Sequence, residues 1–264
     1  MSLNQQGELR NGFKIDFFTP SLPLKNNLVI LRAGNQTIHR SWEKLNPPDQ
    51  RNWDIIVSYY GDGVFERTFE DGLVRQRKWK WSAIYDLIVE TGIIEKYDRF
   101  FFPDDDIMTT WRDINALFDI VQDYELAVAQ PALTRNSPHS YPMTLKTDKL
   151  ILRYTNFVEL MMPCFSRDAL RQCVGTFEGA VTGWGLDWIW HKVLGEPKNK
   201  MAIIDAIAMQ HTRPPELGDA YKEMDGIKPD PQAELARNLA RYGMSSFQIK
   251  QFGLMFAPGI TYSG

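Results

Sequence analysis

Two cysteines in 264 residues are too few for a disulfide scaffold, and Cys164 and Cys173 lack the spacing of a metal-ligand pair. Both read as packing residues. No stretch approaches the roughly 18 consecutive apolar residues of a membrane-spanning helix, and Met1–Lys14 is too polar for a secretory leader, so a cytoplasmic chain with no integral membrane segment is expected. Positive charge is not in surplus either. Thirty Lys and Arg against 33 Asp and Glu give a net charge of -3, without the basic stripe that a nucleic-acid partner would require. Internal repeats and low-complexity tracts are absent, and 44% hydrophobic with 24% charged residues excludes long disorder. What remains is a chain long enough to bury a core as one large domain, or as one domain with a tail.

Residues 1–26 carry turn formers and a short apolar run at Phe17 and Phe18, and read as a lead-in packing on something else. Organised structure begins at Asn27. Leu28–Leu31, closing on Arg32, Ala33 and Gly34, and Trp53–Tyr60, closing on Gly61, Asp62 and Gly63, have the form of buried strands ending in glycine-flanked turns. Trp81, Ile84, Tyr85, Ile88 and Val89 recur at helical spacing. A strand over Tyr97–Pro103, a helix over Ile107–Val121 and a strand over Leu126–Ala129 follow. Thr134–Asn156 reads as a long loop, Phe157–Phe165 as an apolar strand interrupted by Glu159, and Ser166 as the cap of a short helix. Ala202–Met209 is a strand delivering His211 to its end. Past the polar stretch after Pro215, Asp230 caps and Pro231 opens a last helix, with Gly243 beyond its end. That tail, 216–264, either packs back or serves as an oligomer contact. The alternation of strand and helix is that of an α/β sheet covered on both faces, where ligands bind at strand ends.

Asp104, Asp105 and Asp106 stand at such an end, directly after Phe100–Pro103. Three like charges at the end of a buried strand repel one another, which calls either for a cation such as Mg²⁺ or Mn²⁺ or, more simply, for a helix start that one of them caps. His211, at a distant strand end, is a candidate further ligand or a surface residue; imidazole favours Mn²⁺ over Mg²⁺. Asp187, in Gly183-Trp184-Gly185-Leu186-Asp187, is a candidate base for an attacking hydroxyl, or the cap of the helix from Trp188.

The Asp run, the Gly-Trp-Gly-Leu-Asp block and the strand ending in His211 together resemble the nucleotide-sugar glycosyltransferases of GT-A fold, over 27–215. With Met162-Pro163-Cys164-Phe165-Ser166-Arg167 the likeness is closer to an uncharacterised family, seen in plant and bacterial chains, that is usually grouped with those enzymes. The resemblance implies a mixed, mostly parallel central sheet flanked by helices on both faces, with a C-terminal helical tail. It implies a metal-dependent transferase of inverting type, moving a sugar from a UDP- or GDP-sugar to a carbohydrate or other hydroxyl acceptor. Asp104, Asp106 and His211 would hold Mn²⁺ or Mg²⁺, with Asp105 turned to the ribose or donor sugar. Asp187 would be the base, one carboxylate where the best-matched inverting families have an acidic pair. Arg32, Ala33, Gly34 and Asp62 would meet the nucleoside, and Lys78 or Lys80 the diphosphate. Glu159, Gly183, Trp184 and Gly185 would face the acceptor. A nucleotidylyltransferase is a poorer match, because Arg32-Ala33-Gly34-Asn35 is not a glycine-rich phosphate loop. A non-catalytic sugar- or nucleotide-binding module is the alternative of a different class.

Overall fold

Every residue of Asn27–Ala33 and of Trp53–Tyr59 is buried, the state that continuous apolar runs adopt in strands covered on both faces. A computed structural model describes residues 7–9, 13–43, 50–214 and 229–258. Its strands are β1 (Gly7–Leu9), β2 (Phe13–Phe18), β3 (Asn27–Ala33), β4 (Trp53–Tyr59), β5 (Gly72–Arg75), β6 (Arg99–Phe101), β7 (Ile107–Met108), β8 (Val128–Leu133), β9 (Leu150–Thr155), β10 (Cys164–Ser166), β11 (Met201–His211) and β12 (Gln251–Phe256). Its α-helices are α1 (Lys80–Thr91), α2 (Trp111–Asp123), α3 (Arg167–Cys173), α4 (Leu186–Val193) and α5 (Pro231–Arg241).

Among the described residues one sheet runs β1-β2-β5-β4-β3-β6-β10-β8-β11-β9-β12, and β7 pairs with the end of β11. β5, β4, β3 and β6 are mutually parallel, as are β8 and β11; β10 between the two groups is antiparallel to both neighbours. The centre is therefore mostly parallel in direction, with antiparallel additions at both edges. Alternate side chains of the central strands enter opposite cores, as the two-residue period of a strand requires. Leu28 and Ile30 pack with Trp81, Ile84, Leu170, Ile189 and Trp190, from α1, α3 and α4. Val29 and Leu31 pack with Ile114, Leu117 and Phe118 from α2 on the other face. Cys164 and Cys173 are free and buried, one in each core.

Several elements differ from the sequence reading. The helix expected over Ile107–Val121 begins only at Trp111, because Ile107 and Met108 pair with His211 and Gln210. The expected strand Phe157–Phe165 is reduced to Cys164–Ser166, leaving Glu159 in an irregular segment. β9 lies inside the stretch read as a loop. Its Arg153 is buried against Asp205, with Nε to Oδ2 at 2.7 Å, a partner remote in sequence. β5 was also missed, being short and opened by glycine. At the chain's ends, β2 pairs with β5, and β12 pairs with β9. The final helix is as read: Asp230 accepts from the Ala233 N–H, Pro231 opens the first turn and Gly243 follows at φ +65°.

Candidate active site

Chain order in the sheet reverses at β3, which has β4 and β5 on one side and β6 on the other. Open α/β sheets bind ligands in the crevice outside the strand ends at such a reversal. The Asp run fills this position, and four segments pin its backbone. Arg32 bridges Asp104, the Asp104 N–H donates to Met161 O at 2.9 Å, Ile38 N–H to Asp105 O at 2.9 Å, and Thr212 N–H to Asp106 O at 3.1 Å. None of the three caps the next helix. Thr110 is the N-cap of α2, its hydroxyl accepting from Asp113 N–H at 3.2 Å.

Each carboxylate has its own basic partner. Lys80 Nζ, in the first turn of α1, donates to Asp104 Oδ1 at 2.6 Å and also to the carbonyls of Leu160 and Met161 at 2.9 and 3.0 Å. Arg213 Nη1 lies 3.2 Å from Asp105 Oδ1, whose Oδ2 accepts the Gly34 N–H at 2.8 Å. His211 Nε2 lies 3.2 Å from Asp106 Oδ2, because β7 pairs His211 with Ile107, the residue after Asp106. The opposite ring nitrogen, Nδ1, donates to the Pro138 carbonyl at 3.0 Å, which fixes the ring. Burial pushes Asp105 up to about 6 despite the Gly34 N–H and Arg213. Partial desolvation by the cavity walls, with Asp106 nearby, raises Asp104 as well, against the pull of Lys80. Burial pulls the His211 imidazole down, but Asp106 outweighs it and the net direction is up.

A second acidic group stands across the same cavity. Gly185, at φ +90°, is the N-cap of α4, so Asp187 lies within the first helical turn, not at the cap, and is 4% exposed. Burial and the neighbouring Glu159 push its carboxyl well up, opposed by backbone N–H groups of Asp187, Trp188 and Gly185. Glu159 is itself buried and pushed up to about 7 by desolvation, with His211 pulling it down and Asp104 pushing it further up. Its Oε2 has no hydrogen-bond partner within the protein. Although the Gly-Trp-Gly block holds one acid, the fold thus brings it a second from a segment 28 residues upstream. Tyr141 completes the group: burial and the charges of Asp187 and Glu159 raise its hydroxyl, while a hydrogen bond with Trp188 opposes them.

These groups line one cavity of about 620 Å³, with Tyr60, Trp79, Trp81, Trp184 and Trp188 in its walls. Arg32, Lys80, Asp104, Asp105, Asp106, Glu159, Trp184, Gly185, Asp187 and His211 face it. Ala33, Gly34 and Gly183 are not in its lining. Gly34 supports it, since a Cβ there would come 2.7 Å from the Tyr60 ring. Arg32 is a wall more than a free ligand: its guanidinium donates to Ser58 and Gln76 carbonyls at 2.8 Å, and to Lys78 O, and lies 4.7 Å from the Tyr60 ring centre. Burial pulls it down to about 9, still charged at neutral pH. Asp62 accepts from Asn35 on the exterior, and Lys78 pairs with Asp86 at 2.5 Å; neither lines the cavity. Arg213, Tyr141 and Trp188 were missed as site residues. The signals were positional: Arg213 lies two residues past His211, Tyr141 falls within the long Thr134–Asn156 loop, and Trp188 opens the aromatic run after Asp187.

Among the described residues no group of three or more His, Cys, Asp and Glu is arranged to hold a metal ion. The donors nearest to that role are two carboxylates and an imidazole. The Asp104 side chain is 40% exposed to the cavity and Asp106 Oδ1 is buried without a protein partner, which suits an open cation site completed by ligand oxygens and water.

A family model described as a protein of unknown function (DUF707) matches residues 153–251, a stretch that includes Glu159, Asp187, His211 and α5 but not the Asp run. A search of curated proteins returns no match. Among solved structures, S. aureus TarS 1-349 aligns at a TM-score of 0.49 and 9% identity, covering 82% of this chain and 71% of that one. The same protein in complex with UDP-GlcNAc aligns at 0.49 and 10%, over 82% and 72%, and in complex with UDP at 0.44 and 11%, over 83% and 72%. Likeness at this level is one of outline and carries nothing about chemistry. No described helix is long and apolar enough to cross a membrane.

Proposed function

We propose that the chain is a nucleotide-sugar-dependent glycosyltransferase of GT-A type, inverting, with its donor diphosphate at the Asp run and its acceptor hydroxyl at Asp187. The observation that carries this reading is the convergence of Asp104–Asp106, Glu159, Asp187 and His211 in one aromatic-walled cavity at the strand ends. Carboxylates matched with Lys80, Arg213 and His211 share this cavity with two buried acids, Asp187 and Glu159, and with Trp184, Trp188 and Tyr141, and Glu159 lies within electrostatic reach of Asp104, Lys80 and His211. Such an arrangement suits a ligand with an anionic centre and a polyhydroxylated end that stacks on aromatic faces.

In the reaction, ionised Asp187 takes the proton of the acceptor hydroxyl as that oxygen bonds to the anomeric carbon. The bond from that carbon to the diphosphate breaks on the opposite side, and the diphosphate leaves with the electron pair. One displacement inverts the centre. Lys80, already within 2.6 Å of Asp104, meets the growing charge on the leaving group. Asp104 and Asp106, with His211, would hold Mn²⁺ or Mg²⁺, which supplies Lewis-acid neutralisation of the diphosphate when bound. The burial that raises Asp187 makes it, once ionised, a stronger base than a surface carboxylate.

Asp187→Asn tests the assignment. Loss of a general base is expected to lower turnover by about 10²- to 10⁴-fold with donor affinity kept. Undiminished turnover refutes the base, and a wild type that binds nucleotide-sugars but transfers to no hydroxyl acceptor is a binding module instead.

A further inference from the structure

The C-terminal helix reaches into the site by a route unrelated to the Asp run. Glu234, in the first turn of α5 and 5% exposed, receives four hydrogen bonds from the loop before α4. Its Oε1 accepts the N–H groups of Val181 and Gly183 at 3.0 and 3.1 Å, and its Oε2 accepts the N–H and hydroxyl of Thr182, both at 2.7 Å. Three successive amides converging on one point form a nest that needs an anion, and the carboxylate supplies it from 51 to 53 residues away.

Two further contacts fasten the same loop. Asn238 Nδ2 donates to the Trp184 carbonyl at 2.7 Å, and a Cβ on Gly185 would come 2.9 Å from Leu235. Gly185 is the N-cap of α4 and Asp187 follows two residues later, so the seat of α5 sets where Asp187 points. Gln232 and Leu235 of this helix also line the cavity.

We propose that α5 is a working wall of the site, in which Glu234 is a positioning residue that fixes the Val181–Gly185 loop, and with it Trp184 and Asp187, while Gln232 and Leu235 shape the acceptor end. The word acceptor rests on the glycosyl-transfer reading; the anchoring of the loop does not.

Hydrogen exchange and kinetics on the full chain test it. Glu234→Gln keeps one carbonyl acceptor where the carboxylate has two oxygens, so exchange at residues 181–183 is expected to quicken about tenfold or more while α2 stays protected. Acceptor KM is expected to rise about tenfold with a fall in kcat, and the thermal shift given by nucleotide-sugar to stay. Gln232→Trp, which leaves the anchor intact, is expected to raise acceptor KM without changing exchange at 181–183. Unchanged exchange at 181–183 in Glu234→Gln overturns the anchor. An acceptor KM indifferent to both substitutions, or a loss shared equally by donor affinity, overturns the wall. If the wild type transfers no sugar from any donor, the glycosyl-transfer reading falls, and the exchange comparison alone still decides the anchor.

Discussion

Glu159→Gln should make the protein more stable in mild alkali than the wild type, and the size follows from where the carboxyl sits. Glu159 is buried, and its pKa is displaced from the ordinary 4.5 to about 7, chiefly by desolvation. Below pH 4.5 the folded and unfolded chains both hold the proton, and the contribution to stability is full. Between 4.5 and 7 only the folded chain holds it, so stability falls as pH rises; above 7 the loss is complete. At 1.36 kcal/mol per pH unit the displacement is worth about 3 kcal/mol. Gln cannot titrate and is close to isosteric with the protonated acid. The variant is therefore expected to match the wild type within about 1 kcal/mol at pH 4.5 and to exceed it by about 3 kcal/mol at pH 8, an advantage of about 5 °C in Tm for a chain of this size. Asp71, pushed up to about 6 by burial, gives a slope of the same sign, but it is present in both proteins and cancels in the difference. Urea unfolding at half-unit pH intervals measures it. Stability curves that run parallel from pH 4.5 to 8 would mean that Glu159 is hydrated and its place opposite Asp187 has been misjudged.

Two further substitutions separate local geometry from packing. Thr110→Ala removes the cap of α2 and is expected to cost about 1 kcal/mol in urea unfolding; no loss would reopen the Asp run as the helix start. Gly183→Ala, at φ +78° with its new Cβ 2.4 Å from the Trp81 ring, is expected to cost more than about 2 kcal/mol, whereas Gly92→Ala, at φ +60° with open space around it, is expected to cost about 1 kcal/mol. Equal losses at the two glycines would show that the loop shifts away from Trp81 freely.

Much of the scaffold was legible because its signals are local. Leu28–Leu31 and Ile55–Val57 announce buried strands by apolar run alone, Ser166 and Asp230 announce caps, and Trp81, Ile84 and Ile88 announce one face of α1. The elements that escaped depend on distant partners. Arg153 in β9 is a core residue only because Asp205 meets it, and β12 is a strand only because β9 offers an edge. The candidate site divides the same way. Asp104–Asp106, Asp187 and His211 stand out by residue type at the ends of strands or in glycine-rich turns. That Glu159 faces Asp187, that Lys80 faces Asp104, and that Glu234 holds the loop between them are facts of three-dimensional meeting, with no trace in spacing. The triple Asp run shows the limit most clearly: its charge problem is met one carboxylate at a time by Lys80, Arg213 and His211, drawn from two distant parts of the chain.

The most direct test of the account is a thermal-shift titration of the wild type with UDP-, GDP-, ADP- and CMP-sugars, each with and without Mn²⁺, repeated on Asp104→Asn. One nucleotide class is expected to raise Tm in a Mn²⁺-dependent way, and Asp104→Asn to abolish that dependence. No shift with any nucleotide-sugar, or a shift indifferent to both Mn²⁺ and Asp104, would contradict a donor site at the Asp run.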